Sequence, residues 1–74
     1  MMTKRQYNMA VKLLATNGVV NLKELSLEIR NRIDSIFELD LFVEGKKTVL
    51  FVGEKAECLA TAEEYLNMRF SIEQ

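Results

Sequence analysis

The chain contains no histidine, no proline and no tryptophan, and it has a single cysteine, Cys58. One cysteine excludes an intramolecular disulfide, and without histidine it cannot complete a zinc site of the usual cysteine and histidine type. The missing histidine also removes the most common general base and the Ser–His and Cys–His nucleophile pairs. A chain of 74 residues has little room for a concave pocket as well as a core. We therefore expect a protein that is not an enzyme and that holds no cofactor or metal.

Long apolar runs are also missing from the sequence. No stretch approaches the roughly 20 consecutive apolar residues that a membrane-spanning helix needs. The first residues do not form a secretory signal, because Asn8 and Lys12 interrupt their apolar run. The lone cysteine and the absence of a targeting segment favour a reducing compartment. The sequence thus predicts a cytoplasmic protein that does not associate with membranes.

The length predicts one domain, covering residues 1–74. A chain of this size buries roughly 60% of the surface that its unfolded form exposes, so its stability margin is small. Disulfides, metals and oligomerisation are the usual additions to such domains, and the composition disfavours the first two. Self-association remains, and a hydrophobic content of 49% supplies apolar surface for it.

The charged residues are unevenly distributed along the chain. The net charge of −1 neither favours nor disfavours a nucleic-acid partner. Residues 1–35 carry six basic and three acidic side chains, whereas residues 36–74 carry four basic and eight acidic ones. Such asymmetry can mark a half that faces phosphates, but in a small domain it more often arises by chance.

A first helix is predicted over residues 4–16. Thr3 and Gln6 have the spacing of a capping box, in which each side chain binds the other residue's backbone N–H. Asn17-Gly18 then supplies a left-handed end to the helix. The core-facing residues at helical spacing are Tyr7, Ala10, Val11 and Leu14. A second apolar stripe on the adjoining flank consists of Met2, Met9 and Leu13.

A second helix is predicted over residues 22–37, where Asn21 and Glu24 repeat the capping-box spacing. The apolar residues that stay near one helical line are Leu22, Leu25, Ile29, Ile33, Ile36 and Phe37. Leu27 alone departs from this phase and would project roughly 140° away from the line. It is therefore predicted to be exposed, either as an isolated surface leucine or as a contact for a partner.

The sequence ELDLFVEGKKTVLFVG, residues 38–53, predicts an antiparallel hairpin with strands over about 39–52. A two-residue type II′ loop at Gly45-Lys46 would pair Glu44 with Lys47, whereas a three-residue loop would shift the register. With the two-residue loop, one face carries Leu39, Leu41, Val43, Leu50 and Val52, together with Thr48. The other face carries Phe42, Val49 and Phe51, together with Asp40. Both faces are apolar under either register, which predicts that the second face binds a partner.

A last helix is predicted over residues 54–70. Its core-facing residues at helical spacing are Leu59, Ala62, Leu66 and Phe70. The predicted fold is therefore α+β with the order α-α-β-β-α. In it the two-stranded hairpin packs against the helices at about 4–16, 22–37 and 54–70.

A helix, the segment LLATNGVVNLKELSLEI and a hairpin follow one another between residues 7 and 52. This order resembles that of winged-helix DNA-binding domains. The resemblance implies a recognition helix at about residues 32–39, and the DNA contacts would be Arg30, Arg32, Lys46 and Lys47. Against it, the apolar phase of residues 22–37 continues across the proposed turn, where no glycine occurs. The proposed recognition helix also contains one arginine and two acidic residues, Asp34 and Glu38, whereas binding to DNA phosphates requires an excess of cations.

Two functional hypotheses follow from these patterns. The leading one is a small regulatory protein without catalysis, which forms a homodimer or binds another protein through its surplus apolar groups. Its predicted interface residues are Phe42, Val49, Phe51, Met9, Leu13 and Leu27. Phages and mobile elements encode many short acidic adaptors and inhibitors of this kind. The alternative is a winged-helix-like DNA-binding regulator, for which nucleic acid is the less favoured partner.

Overall fold

Two helices and six strands make up the computed structural model, which describes residues 1–73. The helices are α1 (Lys4–Asn17) and α2 (Lys55–Arg69). The strands are β1 (Met2–Thr3), β2 (Val19–Asn21), β3 (Ser26–Ile33), β4 (Ile36–Val43), β5 (Lys46–Gly53) and β6 (Ile72–Glu73). The order is thus β-α-β-β-β-β-α-β, and the predicted order α-α-β-β-α is wrong.

Helix α1 begins and ends at the residues that its local sequence indicates. The Gln6 backbone N–H donates to Thr3 Oγ1 at 3.0 Å, and the Thr3 backbone N–H donates to Gln6 Oε1 at 2.9 Å. These two bonds form the expected capping box. Gly18 ends the helix with φ of 79° and donates its N–H to the Leu14 carbonyl oxygen. The Gly18 carbonyl oxygen then accepts from the Ile29 N–H, which joins this turn to β3.

The helix predicted over residues 22–37 does not form. Strands β3 and β4 occupy most of this range and pair antiparallel, with Leu27 opposite Leu41 and Ile29 opposite Leu39. The turn between them contains Asp34, whose φ of 51° no helix accommodates. Residues four apart share a face of a strand as well as a face of a helix, so the spacing of Leu25 and Ile29 fits both structures. The recognition helix implied by the winged-helix resemblance is therefore also wrong, since its residues lie in β3, the turn and β4.

Strands β4 and β5 form the expected hairpin, but its turn lies one residue earlier than predicted. Val43 pairs with Lys46, so the loop is Glu44-Gly45. The φ angles of these two residues are 51° and 79°, as in a type I′ turn, whose twist matches that of the flanking strands. This register, rather than the predicted loop at Gly45-Lys46, decides which side chains share a face.

A β-bulge in β5 makes a second change to the predicted faces. Phe51 lies opposite Leu39, whereas Val49 lies opposite Asp40, so Leu50 is the extra residue. Phe51 and Leu50 therefore both pack against the core. Val52 follows onto the opposite face, beside Glu38. The predicted arrangement, with Phe51 on the second face and Val52 on the first, is wrong.

The antiparallel sheet has the strand order β2-β3-β4-β5, and both helices pack on one of its faces. Helix α1 contacts β2 and β3, and α2 contacts β3, β4 and β5. The buried apolar core between these layers consists of Met2, Ala10, Leu14, Val20, Leu25, Leu27, Ile29, Leu39, Cys58, Ala62 and Leu66. Strands β1 and β6 pair in parallel beside the helices. One face of the sheet is thus left without a covering layer in the described part of the chain.

Helix α2 covers nearly the whole of the predicted range 54–70. It begins after Glu54, whose backbone N–H donates to Glu57 Oε1 at 3.1 Å, and it ends before Phe70. Cys58, Ala62 and Leu66 are its buried residues. Within residues 1–73, neither helix combines the length and the apolar character needed to cross a membrane.

Candidate functional site

The face of the sheet that points away from the helices carries charged side chains at its centre. Five of them, Arg30, Arg32, Glu38, Asp40 and Lys47, form what we call the ionic cluster. Arg30 and Arg32 come from β3, the two acids from β4 and Lys47 from β5. Side chains two residues apart on a strand share a face, so the three adjacent strands bring these groups together. Phe42 and Val49 border the cluster on the same face.

Glu38 is the centre of the ionic cluster because three cations approach it. Arg30 Nη2 lies 3.0 Å from Glu38 Oε2, and Lys47 Nζ lies 3.4 Å from the same oxygen. Arg32 Nε lies 3.5 Å from Glu38 Oε1. Asp40 is held less closely, because its Oδ2 is 3.9 Å from both Arg30 Nε and Lys47 Nζ. The cations therefore compensate Glu38 well and Asp40 poorly.

Both acids of the cluster are buried although they lie on the uncovered face. Glu38 is 4% exposed and Asp40 is 0% exposed, and the longer side chains of Arg30 and Lys47 approach both of them. Within residues 1–73, no donor group lies within hydrogen-bonding distance of either Asp40 oxygen, so the ionised Asp40 accepts no hydrogen bond. An unpartnered buried carboxylate is uncommon and costly in free energy. In this conformation the carboxyl oxygens of both acids are almost completely shielded from solvent.

The environment separates the pKa values of the two acids. A hydrogen bond from protonated Asp40, together with the hydrogen bonds from Arg30 and Lys47, lowers the pKa of Glu38 to about 2. Burial raises the pKa of Asp40 to about 6, and the adjacent Glu38 carboxylate adds to that shift. When Asp40 is protonated, its hydroxyl can donate to the Glu38 carboxylate, which gives the pair a hydrogen bond that two carboxylates cannot make. In mildly acidic solution, Glu38 and Asp40 therefore share one proton.

The four cations proposed for DNA contacts do not form one free basic surface. Arg30, Arg32 and Lys47 belong to the ionic cluster and are paired with Glu38. Lys46 is exposed beside the β4–β5 turn. Because Glu38 and Asp40 lie beneath the three paired cations, part of their charge is already compensated. This placement disfavours phosphate binding at the open face.

Strand β5 is at the border of the sheet, and apolar side chains flank it on both sides. We call Val49, Leu50, Val52, Tyr65 and Met68 the β5-edge surface. Val49 and Val52 are exposed on the open face, and Met68 of α2 is 86% exposed on the helix side. Leu50, Tyr65 and Met68 line a shallow hollow there. Thr61 and Glu64 complete the lining of this hollow, and exposed apolar side chains therefore lie on both sides of the border strand.

The six predicted interface residues lie in three separate places. Phe42 and Val49 are on the open face, half-buried and exposed respectively. Phe51 is half-buried and packs against the core on the helix side, and Leu27 is fully buried within the core, so Leu27 is not available to a partner. Met9 and Leu13 line a groove beside α1. The structure therefore does not bring these residues into one interface.

Sequence reasoning missed Val52 and Met68. The two-residue loop predicts Val52 on the same face as Leu39, because the bulge that moves Val52 to the other face has no sequence mark of its own. Met68 could have been found, since it lies two residues after the buried Leu66 and hence about 200° round the helix at about 100° per residue. A large apolar residue on the side of a helix opposite its buried face departs from the helical pattern, as Leu27 does in the predicted second helix.

Comparison with known proteins leaves the surface as the only guide to function. No family model, curated protein or solved structure matches this chain. In the part of the chain that the structure describes, no group of three or more Cys, Asp or Glu side chains is placed to hold a metal ion. Function is therefore inferred from the geometry and charge of the two surfaces described above and of the groove beside α1.

Cys58 is expected to be unreactive in the folded protein. It is 0% exposed, and burial raises the pKa of its thiol, so little thiolate forms at neutral pH. Ellman's reagent should react with the native protein at least about tenfold more slowly than with the protein in concentrated urea. Equal rates in the two conditions would show that the thiol is accessible and that the packing of α2 against the sheet is wrong.

Proposed function

We propose that this chain is a non-enzymatic protein-interaction protein that forms a homodimer by pairing the β5 strands of two copies. The observation that supports the proposal most directly is the β5-edge surface, in which a strand with one unpaired edge is flanked by exposed apolar side chains on both sides. This retains the predicted homodimer and moves its interface from the hairpin face to the hairpin border.

The backbone of β5 offers a template for another strand. Among residues 1–73, only β4 pairs with it, so one row of its N–H and C=O groups has no sheet partner. The strand extends over eight residues, from Lys46 to Gly53, and forms one border of the sheet. Antiparallel pairing about a two-fold axis would satisfy the free row in both copies and remove one open border from each.

The side chains beside β5 would add apolar contacts to this backbone pairing. Met68, at 86% exposure, and Val49, at 46%, lie on opposite sides of the strand, so both layers of the domain could contribute. Helix α2 packs over β4 and β5, which would place the two α2 helices near each other across the axis. Burial of apolar area at roughly 25 cal/mol per Å² is the main favourable contribution to such an interface.

The charges at the two ends of β5 are compatible with antiparallel pairing. Lys46 and Lys47 begin the strand, and Glu54 follows its last residue. In a pairing centred near Val49 and Leu50, Lys46 of one copy, which is not part of the ionic cluster, lies near Glu54 of the other. Lysines on a free border usually prevent indiscriminate strand pairing, and here they would also select the antiparallel arrangement.

The dimer is tested by sedimentation velocity over a range of micromolar concentrations. The wild-type protein should sediment as a dimer, and Met68→Glu should raise its dissociation constant by at least about tenfold, which corresponds to about 1.4 kcal/mol. The matched control is Met9→Glu, which changes a methionine that is 55% exposed on α1, away from β5. The control should remain dimeric. A monomeric wild type at every concentration, or equal effects of the two substitutions, would contradict the proposed interface.

A further inference from the structure

A second surface, distinct from the β5-edge surface, lies between α1 and β2. It is a groove of about 570 Å³ that continues along the residues after β2 and reaches Phe70. We call it the α1–β2 groove. Its apolar walls are formed by Met2, Met9, Leu13, Val20, Leu22 and Phe70. Its volume falls within the range of about 300–1,000 Å³ that is typical of binding clefts.

The walls of the α1–β2 groove present apolar surface that the described part of the chain does not cover. Met9 is 55% exposed, and Leu13, Leu22 and Phe70 are half-buried, so each has free surface for a further contact. Methionine is unbranched and polarizable, and it adapts to side chains of different shapes. These properties suit the binding of large apolar side chains from another molecule.

The charges around the groove indicate which kind of molecule fits. Arg5 and Lys23 line it, both are exposed, and neither forms a salt bridge within residues 1–73. The one acidic residue among the lining side chains, Glu24, is paired with Arg69 at 2.8 Å. The unpaired charge at the groove is therefore positive, and it complements a carboxylate.

From the apolar walls and the unpaired cations we infer that the α1–β2 groove binds an acidic segment of another protein that carries large apolar side chains. The apolar side chains enter the groove, and adjacent carboxylates pair with Arg5 and Lys23. The Glu24–Arg69 ion pair ties the segment after β2 to the end of α2 and so holds one wall of the groove in place. The site does not involve β5, so it can be occupied in a monomer or in a dimer.

Three fluorescein-labelled peptides test this inference by fluorescence anisotropy with the full chain. The first is an amphipathic peptide of leucine and glutamate, the second replaces its glutamates with lysine, and the third replaces its leucines with serine. The acidic apolar peptide should bind at micromolar concentration, and the other two should bind at least about tenfold more weakly. Equal binding of the lysine peptide would overturn the charge assignment, and no binding of the first peptide would overturn the inference itself.

Charge-reversal variants locate the binding. Arg5→Glu and Lys23→Glu should each weaken the acidic peptide by at least about fivefold, and added salt should reduce the difference between these variants and wild type. Arg5 lies in the first turn of α1, where a glutamate favours the helix, so the variant should fold. The matched control is Lys12→Glu on an exposed part of α1 outside the groove, and it should leave the affinity unchanged. A control that weakens the peptide as much as Arg5→Glu would overturn the location.

The same variants distinguish this site from the proposed dimer interface. Met68→Glu should leave peptide affinity unchanged while it lowers self-association. Arg5→Glu should lower peptide affinity and leave self-association unchanged. Arg5→Glu could instead lower self-association while the acidic peptide does not compete with self-association. In that case the groove holds a second copy of the chain, and the inference of an acidic partner segment is overturned.

Discussion

Replacement of Leu27 with alanine is expected to lower the free energy of unfolding by about 3 kcal/mol. Leu27 is 0% exposed and lies on the helix-facing side of the sheet, between Val20 of β2 and Leu41 of β4. Truncation removes apolar contacts and leaves a cavity that strands bonded on both sides cannot close. For a domain of this size, about 3 kcal/mol is a large fraction of the total stability.

Urea denaturation followed by circular dichroism measures this effect. The matched control is Ile33→Ala, which truncates a β3 residue that is 66% exposed and should change stability by no more than about 0.5 kcal/mol. Both variants should be compared with wild type at the same protein concentration, since self-association adds to apparent stability. A loss below about 1 kcal/mol for Leu27→Ala would place this residue on the surface and contradict strand β3.

The second large effect concerns pH, and Asp40 controls it. Burial raises the pKa of Asp40 to about 6 in the folded protein, from an ordinary value of 3.8. A group whose pKa is raised by folding contributes stability fully below its unfolded pKa, and that stability is lost as the pH rises through the folded pKa. Between pH 5 and pH 7, the free energy of unfolding should therefore fall by about 1 kcal/mol because of Asp40.

Glu38 acts in the opposite direction and in a lower pH range. Its pKa is lowered to about 2 from 4.5, mainly by hydrogen bonding from Asp40. A group whose pKa is lowered by folding stabilises the protein above its unfolded pKa, and this stability is lost as the pH falls toward the folded pKa. The two acids together therefore favour the folded state most strongly near pH 4 to 5.

Asp40→Asn is the variant that isolates the upper pH range. The amide has a similar shape and no charge, so the fall in stability between pH 5 and pH 7 should disappear. At pH 7 the variant should be at least as stable as wild type, because replacing an uncompensated buried carboxylate removes its desolvation cost. Denaturation midpoints at pH 5, 6 and 7 provide the measurement, in a range where ordinary Asp and Glu side chains are ionised.

The control for this experiment is Asp34→Asn, which changes an exposed aspartate at the β3–β4 turn. Asparagine tolerates the positive φ at this position, so the turn should form normally. The pH dependence of Asp34→Asn should match that of wild type. If Asp40→Asn retained the full slope between pH 5 and pH 7, the buried carboxyl group would not be its source.

Both long helices could be predicted because the signals for them are local. Thr3, Gln6 and Gly18 lie within one or two turns of the helix ends that they form, and their hydrogen bonds involve only nearby backbone. The range of α2 was predicted in the same way, from apolar residues recurring at helical spacing. Such features do not depend on which distant strand the helix covers.

The range 22–37 could not be assigned correctly from its own periodicity. Its apolar residues fit a helix except for Leu27, and Leu27 fits a strand in which Leu25, Leu27 and Ile29 alternate with polar residues. The choice between these periods depends on β4, which gains a second strand partner when residues 26–33 are extended. The misfit of Leu27 is therefore evidence for a strand and not for an exposed surface residue.

The candidate site was only partly within reach of the sequence. The surplus of apolar side chains on the hairpin was visible, and Val49 was among the residues predicted for an interface. The division of Phe51 and Val52 between the two faces depends on a bulge, and the joining of Val49 with Met68 at one border depends on how α2 packs. The ionic cluster likewise needs Arg30 and Lys47 to meet Glu38 across three strands.

By itself, the sequence determined the features that short-range chemistry decides: the ends of α1, the extent of α2, the presence of a hairpin, and the lack of disulfide and histidine chemistry. Only the tertiary structure decided that residues 26–33 form a strand, where β5 lies, and which groups are buried together. The physical reason is that a strand is stabilised by hydrogen bonds and side-chain pairs with other strands. Its identity, and the surface that it leaves open, are therefore properties of the whole sheet.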